Sequence, residues 1–365
     1  MGEVGNFYRA EGQPVGTHLA LRWKGRLRFI VPRNAAAQKV FWKVFHPGWQ
    51  KLPLRAMARL TGLFTSVSCF EADALATIRG MIGTEAGISG CNIGAPGPWS
   101  KDTILFLDKK TSAPLLIVKA GFGKSVGSLL RNESDWLRTL QDQASLAGHI
   151  PKLVAHRSGA DLSFVAESPL QGKIEPHFGE SHIVFLRKLQ DYSRRTMRLE
   201  ESRLYRNLHS RITDLQGQLT QEWSTRLDAG MRCIEHSLSA SPLVFAAAHN
   251  DFTPWNLRVE RGLARVFDWE YADYEQLPLF DPLHFALLPM ALKRRPAHQM
   301  VRRMNETIQH GPLWLGKESC SAPQTQALAY LMNLCTLYLW SEGGKSDNSP
   351  VLESYAPMID HLDRS

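Results

Sequence analysis

At 365 residues, with 44% apolar and 21% charged positions, the chain can bury the core of two compact units, and wholesale disorder is excluded. Five scattered cysteines, Cys69, Cys91, Cys233, Cys320 and Cys335, form no Cys-x-x-Cys pair, which argues against a disulfide framework or a zinc ribbon and for reduced, buried thiols. The net charge of +8 is concentrated: residues 1–60 hold 11 Lys or Arg against Glu3 and Glu11, leaving 32 basic and 33 acidic residues for the rest.

The opening "MGEVGNFYRAEGQPVG" lacks the basic-then-apolar order of a secretion signal, and Asn6 stands where a myristoylation site needs Ser or Thr. No apolar run reaches the length of a membrane-spanning helix, so a cytoplasmic protein is expected. Leu19 to Arg33, "LALRWKGRLRFIVPR", reads as a hairpin about Lys24-Gly25 with Arg22, Lys24, Arg26 and Arg28 on one face. Two helices broken at His46-Pro47-Gly48 are expected next. Basic residues interleaved with Trp23, Phe29, Trp42, Phe45 and Trp49 suit a solvated face of a small subdomain. They also suit peripheral contact with an anionic membrane or glycolipid. No nucleic-acid motif accompanies them, so no nucleic-acid partner is expected.

From about residue 82 the pattern becomes β-rich. A glycine-rich turn containing Gly87, Gly90 and Gly94 precedes predicted strands at Asp102–Leu107 and Leu115–Lys119. A helix is predicted over Ser128–Ala147, then a hairpin turning at Ser158-Gly159-Ala160-Asp161. Beyond Leu170 the chain reads as helical. The exception is a short polar hairpin, Asn256–Glu260 and Leu263–Phe267, turning at Arg261-Gly262, before helices resume near Asp281. Three parts are therefore expected: a basic aromatic extension over 1–80, a small sheet with one helix over 81–168, and a helical part over 169–365. A site between two lobes suits nucleotide binding.

The stretch "HNDFTPWN", His249 to Asn256, and the nearby "RVFDWE", Arg265 to Glu270, place three oxygen-bearing side chains around the hairpin. Turn chemistry is one reading of Asp251, Asn256 and Asp268. A phosphoryl-transfer site is the other. Transfer from ATP needs a carboxylate at the acceptor hydroxyl, a lysine for phosphate oxygens and hard oxygen ligands for magnesium. Asp251 can serve as the base, Asn256 and Asp268 as metal ligands, and Lys119 as the phosphate lysine with Glu133 holding its ammonium. "AGFGKSVG", Ala120 to Gly127, imitates a P-loop, but Val118 stands where that loop needs its first Gly, and Lys124 reads as a solvated loop residue. Glu270, Asp273 and Glu275 read equally as a solvated turn or as acidic contacts for a cationic or polyhydroxylated acceptor.

These motifs resemble the aminoglycoside phosphotransferase and choline kinase-like family over roughly residues 82–300. "HNDFTPWN" looks like that family's His-Gly-Asp-x-x-x-x-Asn catalytic loop, and "VFDWE" like its metal-binding Asp segment. "LLIVKA" resembles the lysine strand, "NESDWLRTL" the helix with the paired Glu, and "LPLFDPLHFAL" the downstream segment whose Asp281 braces the loop. The resemblance implies an α+β, two-lobed protein-kinase-like fold, with a small antiparallel N-lobe and a mainly helical C-lobe. The basic N-terminal segment is an addition to it. It also implies an ATP- and magnesium-dependent phosphotransferase acting on a hydroxyl of a sugar, an amino alcohol or an aminoglycoside-like compound. His249 then supports the loop. Gly90, Cys91 and Asn92, with Ser89, lie at the tip of the glycine-rich turn near phosphate, and "ESPL" supplies backbone groups at Glu167 and Pro169 for adenine. Two departures stand out: Asn250 replaces the usual Gly, and the glycine spacing is looser than in protein kinases. A silent nucleotide-binding scaffold is the alternative. A protein kinase is disfavoured, because the span from Asp268 to Asp281 leaves little room for an activation segment.

Overall fold

The computed structural model describes residues 2–3, 6–10, 18–23, 26–45, 68–83, 87–95, 97, 99–346 and 349–363. The chain divides into two compact units, Met1–Lys173 and Ile174–Ser365.

The first unit runs β1 (Gly2–Glu3), β2 (Tyr8–Ala10), β3 (His18–Trp23), β4 (Arg26–Pro32), α1 (Ala35–Phe45), β5 (Ser68–Glu71) and α2 (Asp73–Ile82). It continues with β6 (Ile88–Asn92), β7 (Asp102–Leu107), β8 (Pro114–Gly121), α3 (Lys124–Gln141), β9 (Leu153–Arg157) and β10 (Ser163–Glu167). All ten strands join one antiparallel sheet in the order β1-β2-β5-β3-β4-β6-β7-β8-β10-β9. The strands of residues 1–80 thus continue the sheet of the residues that follow, through Phe29 opposite Asn92 and Ile30 opposite Cys91.

Strand β7, "DTILFL", is apolar on both sides because both sides are covered. Ile104 and Phe106 pack with Val118, Ala120, Phe164 and the α2 residues Leu75 and Ile78. Leu105 and Leu107, on the opposite face, pack with Phe29, Val31 and the α1 residues Ala37, Phe41 and Trp42. Two of the aromatic residues proposed for a membrane or glycolipid surface, Phe29 and Trp42, are therefore core residues in edge-on contact at 5.2 Å. Phe45 packs on Phe41 beside them. The hairpin turn at Lys24-Gly25, the break at His46-Pro47-Gly48, the second helix expected after it and Trp49 lie outside the described residues.

Helix α3 starts four residues before its predicted beginning. Gly123, at φ 87°, turns the chain directly out of β8, so Lys124 is an exposed first helical residue and not part of a loop. The helix ends at Gln141, and the chain then turns through Ala147–His149.

The second unit contains α4 (Glu180–Ser193), β11 (Arg195–Met197), α5 (Arg203–Asp214), α6 (Gln221–Leu238), β12 (Leu243–Ala248), β13 (Leu257–Glu260), β14 (Leu263–Val266) and β15 (Asp273–Gln276). Helices α7 (Phe280–Ala291), α8 (Ala297–Leu315), α9 (Pro323–Ser341) and α10 (Pro350–Asp363) complete it. The polar hairpin is β13–β14, and its turn residues Arg261 and Gly262 both have positive φ, 51° and 78°, as a two-residue hairpin requires. A second small sheet, β11-β12-β15, was not anticipated. Its centre, "LVFAAA", is composed largely of a good helix former, yet burial between two partner strands overrides that preference. Among the described residues, no helix is long and apolar enough to cross a membrane.

Candidate active site

In the first unit, the β8 side of the sheet carries Lys119, which is buried. Its Nζ donates to Glu133 Oε1 from α3 and stands 3.6 Å from Glu167 Oε1 at the end of β10. Both carboxylates are buried as well. Register explains the meeting: Lys119 lies opposite Val165, and Glu167 is two residues further along that neighbouring strand, on the same face. Glu133 reaches the lysine because α3 presents it on its buried side with Leu130 and Leu137. The resemblance assigns only backbone groups of "ESPL" to adenine, whereas the Glu167 side chain belongs to the lysine's own cluster. Pro169 follows it, half-buried. The segment is tied down where Ser168 N–H donates to Lys152 O at 2.9 Å and Lys152 N–H to Ser168 Oγ at 2.8 Å.

The glycine-rich turn is corrected. Residues Ile88–Asn92 form β6, so Gly90 and Cys91 sit in the middle of a strand and not at a turn tip. A Cβ on Gly90 would lie 2.5 Å from the Phe41 ring, so this glycine lets α1 approach the sheet. Cys91 is buried, and burial, with Asp102 nearby, pushes its thiol well above the ordinary range. Ser89 is also buried, its hydroxyl 2.9 Å from Tyr8 OH. Asn92 ends the strand with its Oδ1 buried and, among the described residues, without a hydrogen-bond partner. The connection itself spans residues 93–101. Its root is fixed by Gly94 N–H donating to Asp102 Oδ1 at 2.9 Å and Arg28 Nη1 donating to Ile93 O at 2.7 Å. Gly94 is needed there, since a Cβ would meet Lys101 O at 2.3 Å.

In the second unit, β12 delivers the chain into the loop that begins at His249. Asp281, in the first turn of α7, accepts the backbone N–H groups of His249 at 2.8 Å and Asn250 at 2.9 Å. Burial nevertheless pushes its carboxyl up to about 6. Asn250 adopts φ 62°, and its Nδ2 donates to Tyr271 O at 2.9 Å. Asp251 N–H donates to His249 Nδ1 at 3.2 Å, so the proton of that ring lies on Nε2, which donates to Phe267 O at 3.0 Å. Burial pushes His249 down to about 4, which fits this neutral strut.

Two side chains hold the Asp251 carboxylate. Asn256 Nδ2 donates to Oδ2 at 2.6 Å and also to the Asp251 carbonyl at 3.1 Å. His284 Nε2, from α7, lies 3.2 Å from Oδ1. The Asn256 amide nitrogen is thereby committed inward, leaving Oδ1 as the oxygen for a cation. Phe267 N–H donates to Asn256 O at 3.0 Å, extending the β13–β14 ladder by one step and bringing Asp268 next to Asn256 along the hairpin. Asp268 takes the left-handed conformation, φ 74° and ψ 56°, as the chain leaves β14.

The acidic run has a different setting from either expectation. Glu270 is buried, and Asp273 and Glu275 lie on β15. Asp273 pairs with Arg203 at 3.6 Å. Glu275 accepts Arg203 N–H at 2.6 Å and lies 3.8 Å from Arg206 and 4.0 Å from Arg195. These carboxylates are matched by arginines from β11 and α5.

His284 escaped the sequence reading. Its signal was present: it stands three residues after Asp281 in "FDPLHFALL", on the same helix face, in a segment otherwise apolar. Among the described residues, no group of three or more His, Cys, Asp and Glu side chains is placed to hold a metal. An amide oxygen and one carboxylate nevertheless suit magnesium, a hard cation that keeps waters and phosphate oxygens among its ligands.

The family model described as "phosphotransferase enzyme family" matches residues 95–307. No curated protein matches the chain. A thermostable mutant of aminoglycoside phosphotransferase APH(4)-Ia, in its apo form, is similar at TM-score 0.52 and 12% identity, over 79% of this chain and 98% of that one. The ADP-bound aminoglycoside phosphotransferase APH(2'')-Ib is similar at TM-score 0.50 and 14% identity, over 81% and 99%. A ternary complex of APH(4)-Ia with ADP and hygromycin B gives TM-score 0.50 and 11% identity, over 79% and 97%. At these identities the likeness establishes the fold: an antiparallel sheet followed by a helical portion, as in protein kinases.

Proposed function

The chain belongs to the phosphotransferase enzyme family, and on that premise we propose that it transfers the terminal phosphoryl group of ATP to a hydroxyl of a small molecule. The observation that carries this reading is the Asp251 carboxylate, held by Asn256 and His284 on a loop whose backbone is fixed by Asp281. A carboxylate so placed orients an acceptor hydroxyl and accepts its proton. Lys119, oriented by Glu133 and Glu167, holds phosphate oxygens. Asn256 and Asp268 would hold magnesium, which would neutralise charge on the phosphates. Gly90 and Cys91 lie within a strand, so the residues suited to face phosphate are those where the chain leaves it, Asn92 to Ala95.

By their names, similar structures hold ADP, and one holds hygromycin B, which supports a nucleotide and a small acceptor here. A sugar, an amino alcohol or an aminoglycoside-like compound remains the acceptor class. Asp273 and Glu275 are engaged by Arg195, Arg203 and Arg206, which favours an uncharged polyhydroxyl compound over a polycation.

Thermal unfolding of wild type and Asp268→Ala, each with ATP and with or without magnesium, tests the site. Ligand at about 100 times its Kd stabilises the native state by roughly 2.7 kcal/mol. A magnesium-dependent shift in wild type and none in the variant is expected. Asp251→Asn should keep that shift and lose about 10²–10⁴ in turnover. No shift in either protein would replace the reading with a scaffold, and wild-type turnover in Asp251→Asn would remove Asp251 as the base.

A further inference from the structure

Asn256 alone would leave the Asp251 carboxylate free to swing about the bond to its Cβ. The second contact, His284 Nε2 at 3.2 Å from the other oxygen, closes that freedom. Helix α7 therefore reaches the loop twice, through the backbone with Asp281 and through the carboxylate with His284. Behind His284 the contacts continue. Its Nδ1 lies 3.2 Å from Tyr330 OH on α9, and that oxygen lies 3.1 Å from Tyr355 OH on α10. All three side chains are buried, at 3%, 3% and 0% exposure. A histidine this dry requires partners at both ring nitrogens, and the fold supplies a carboxylate on one side and a phenol on the other.

The donors can be assigned in sequence. A carboxylate only accepts, so the His284 nitrogen facing it carries a proton. In the singly protonated ring Nδ1 is then an acceptor, and the Tyr330 hydroxyl donates to it. The Tyr330 oxygen in turn accepts from Tyr355. Burial pushes both phenols well above their ordinary range, so each keeps its proton to donate. The hydrogen bonds run in one direction, from Tyr355 to Asp251.

We propose that His284 is a positioning residue for Asp251, held in the required tautomer by Tyr330 and, behind it, Tyr355. The inference rests on Asp251 being the base. With each carboxylate oxygen fixed by one donor, the remaining lone pairs keep one orientation toward an acceptor hydroxyl.

The test uses the full chain, with magnesium-ATP hydrolysis and water as the acceptor. His284→Leu removes the donor at similar volume, His284→Gln retains an N–H donor, and Tyr330→Phe removes the hydroxyl behind the ring. Misplacing a reacting group by about 1 Å can cost about 10²-fold, so His284→Leu should lower kcat about 10- to 100-fold, with KM for ATP changed by less than about twofold. His284→Gln should recover much of that loss, and Tyr330→Phe should lose about threefold, by loosening the tautomer only. Imidazole ¹⁵N spectra supply a readout independent of turnover. The wild-type His284 signal, assigned by its disappearance in His284→Gln, should show a protonated Nε2 and a bare Nδ1. A wild-type kcat in His284→Leu, a change confined to KM, or a proton on Nδ1 alone would each overturn the inference. If wild type neither hydrolyses magnesium-ATP nor shows the magnesium-dependent thermal shift, the phosphotransferase reading itself falls, and the positioning role with it. Activity in wild type matched by His284→Leu removes only the positioning role.

Discussion

Lys119 sits on a regular strand and is fixed by side chains alone, whereas Asp251 sits on irregular backbone that must itself be braced before Asn256 and His284 can hold its carboxylate. The first arrangement depends on charge: the Lys119 ammonium faces the carboxylates of Glu133 and Glu167, all nearly dry. The second depends on amide geometry, with Asp281 collecting two N–H groups and His249 and Asn250 tying the loop to Phe267 and Tyr271. The units should accordingly fail in different ways. Removing charge should damage the sheet unit most, and removing an acceptor should damage the loop.

Lys119→Met should have the largest effect. It removes the ammonium that faces the buried Glu133 and Glu167, a loss of about 3–5 kcal/mol. Urea unfolding measures it, and adding Glu133→Gln to the variant should restore part of the stability. A cost below about 1 kcal/mol would mean that charge balance does not govern this cluster.

Acid titration separates the two groups that hold the loop. His249 is lowered from 6.5 to about 4, so the stability it contributes is complete above pH 6.5 and is lost as pH falls toward 4. Asp281 is raised from 3.8 to about 6, so its contribution is complete below pH 3.8 and is lost as pH rises through 6. Between pH 6 and 4 they oppose one another, each by about 3 kcal/mol. His249→Gln should therefore gain stability relative to wild type as pH falls through that window. Parallel curves for the two proteins would place the sensitivity elsewhere.

Asp281→Ala attacks the brace directly. Two N–H groups, that of His249 buried and that of Asn250 half-buried, lose their acceptor, at a cost of about 2 kcal/mol after removal of a carboxylate that burial disfavours. Turnover should fall further than stability explains, because Asp251 follows Asn250 along the chain. Equal loss in this variant and in an unrelated core variant of matched stability would separate the brace from catalysis.

How much of this was legible follows from where each constraint acts. The placement of Asp251, Asn256 and Asp268 around one hairpin was legible because the short β13–β14 pairing fixes their spacing. Glu167 was named for its backbone, since nothing in "ESPL" reveals that register turns its side chain toward Lys119. Gly90 was misread because a glycine that admits a ring and a glycine that makes a turn look alike until Phe41 is placed. Glycine density alone carries no direction. The strands of residues 1–80 were read as an addition, and the reach of the sheet across β4 and β6 depends on long-range pairing that local pattern does not encode. His284 lay hidden for a related reason. Its partners, Asp251 and Tyr330, are 33 and 46 positions away.

Asn250 gives the smallest and sharpest comparison, since here backbone strain and a side-chain bond oppose one another at one residue. At φ 62° a glycine would sit at no cost, whereas Asn bears about 1 kcal/mol, partly relieved because its short side chain tolerates this region. Its Nδ2 bond to Tyr271 O returns about 0.5–1.5 kcal/mol. Asn250→Gly should thus change stability by less than about 1 kcal/mol, while Asn250→Ala, which keeps the strain and loses the bond, should cost about 1–2 kcal/mol. Urea unfolding of the pair distinguishes the two terms. If Gly costs as much as Ala, the bond to Tyr271 is the chief tether and the loop is held by side chains after all, much as Lys119 is. If Gly is neutral and Ala is not, the backbone conformation is what the position must supply. Asp251 would then owe its placement to the path of the chain through His249 and Asn250, which Asp281 braces, with His284 setting only the final orientation of its carboxylate.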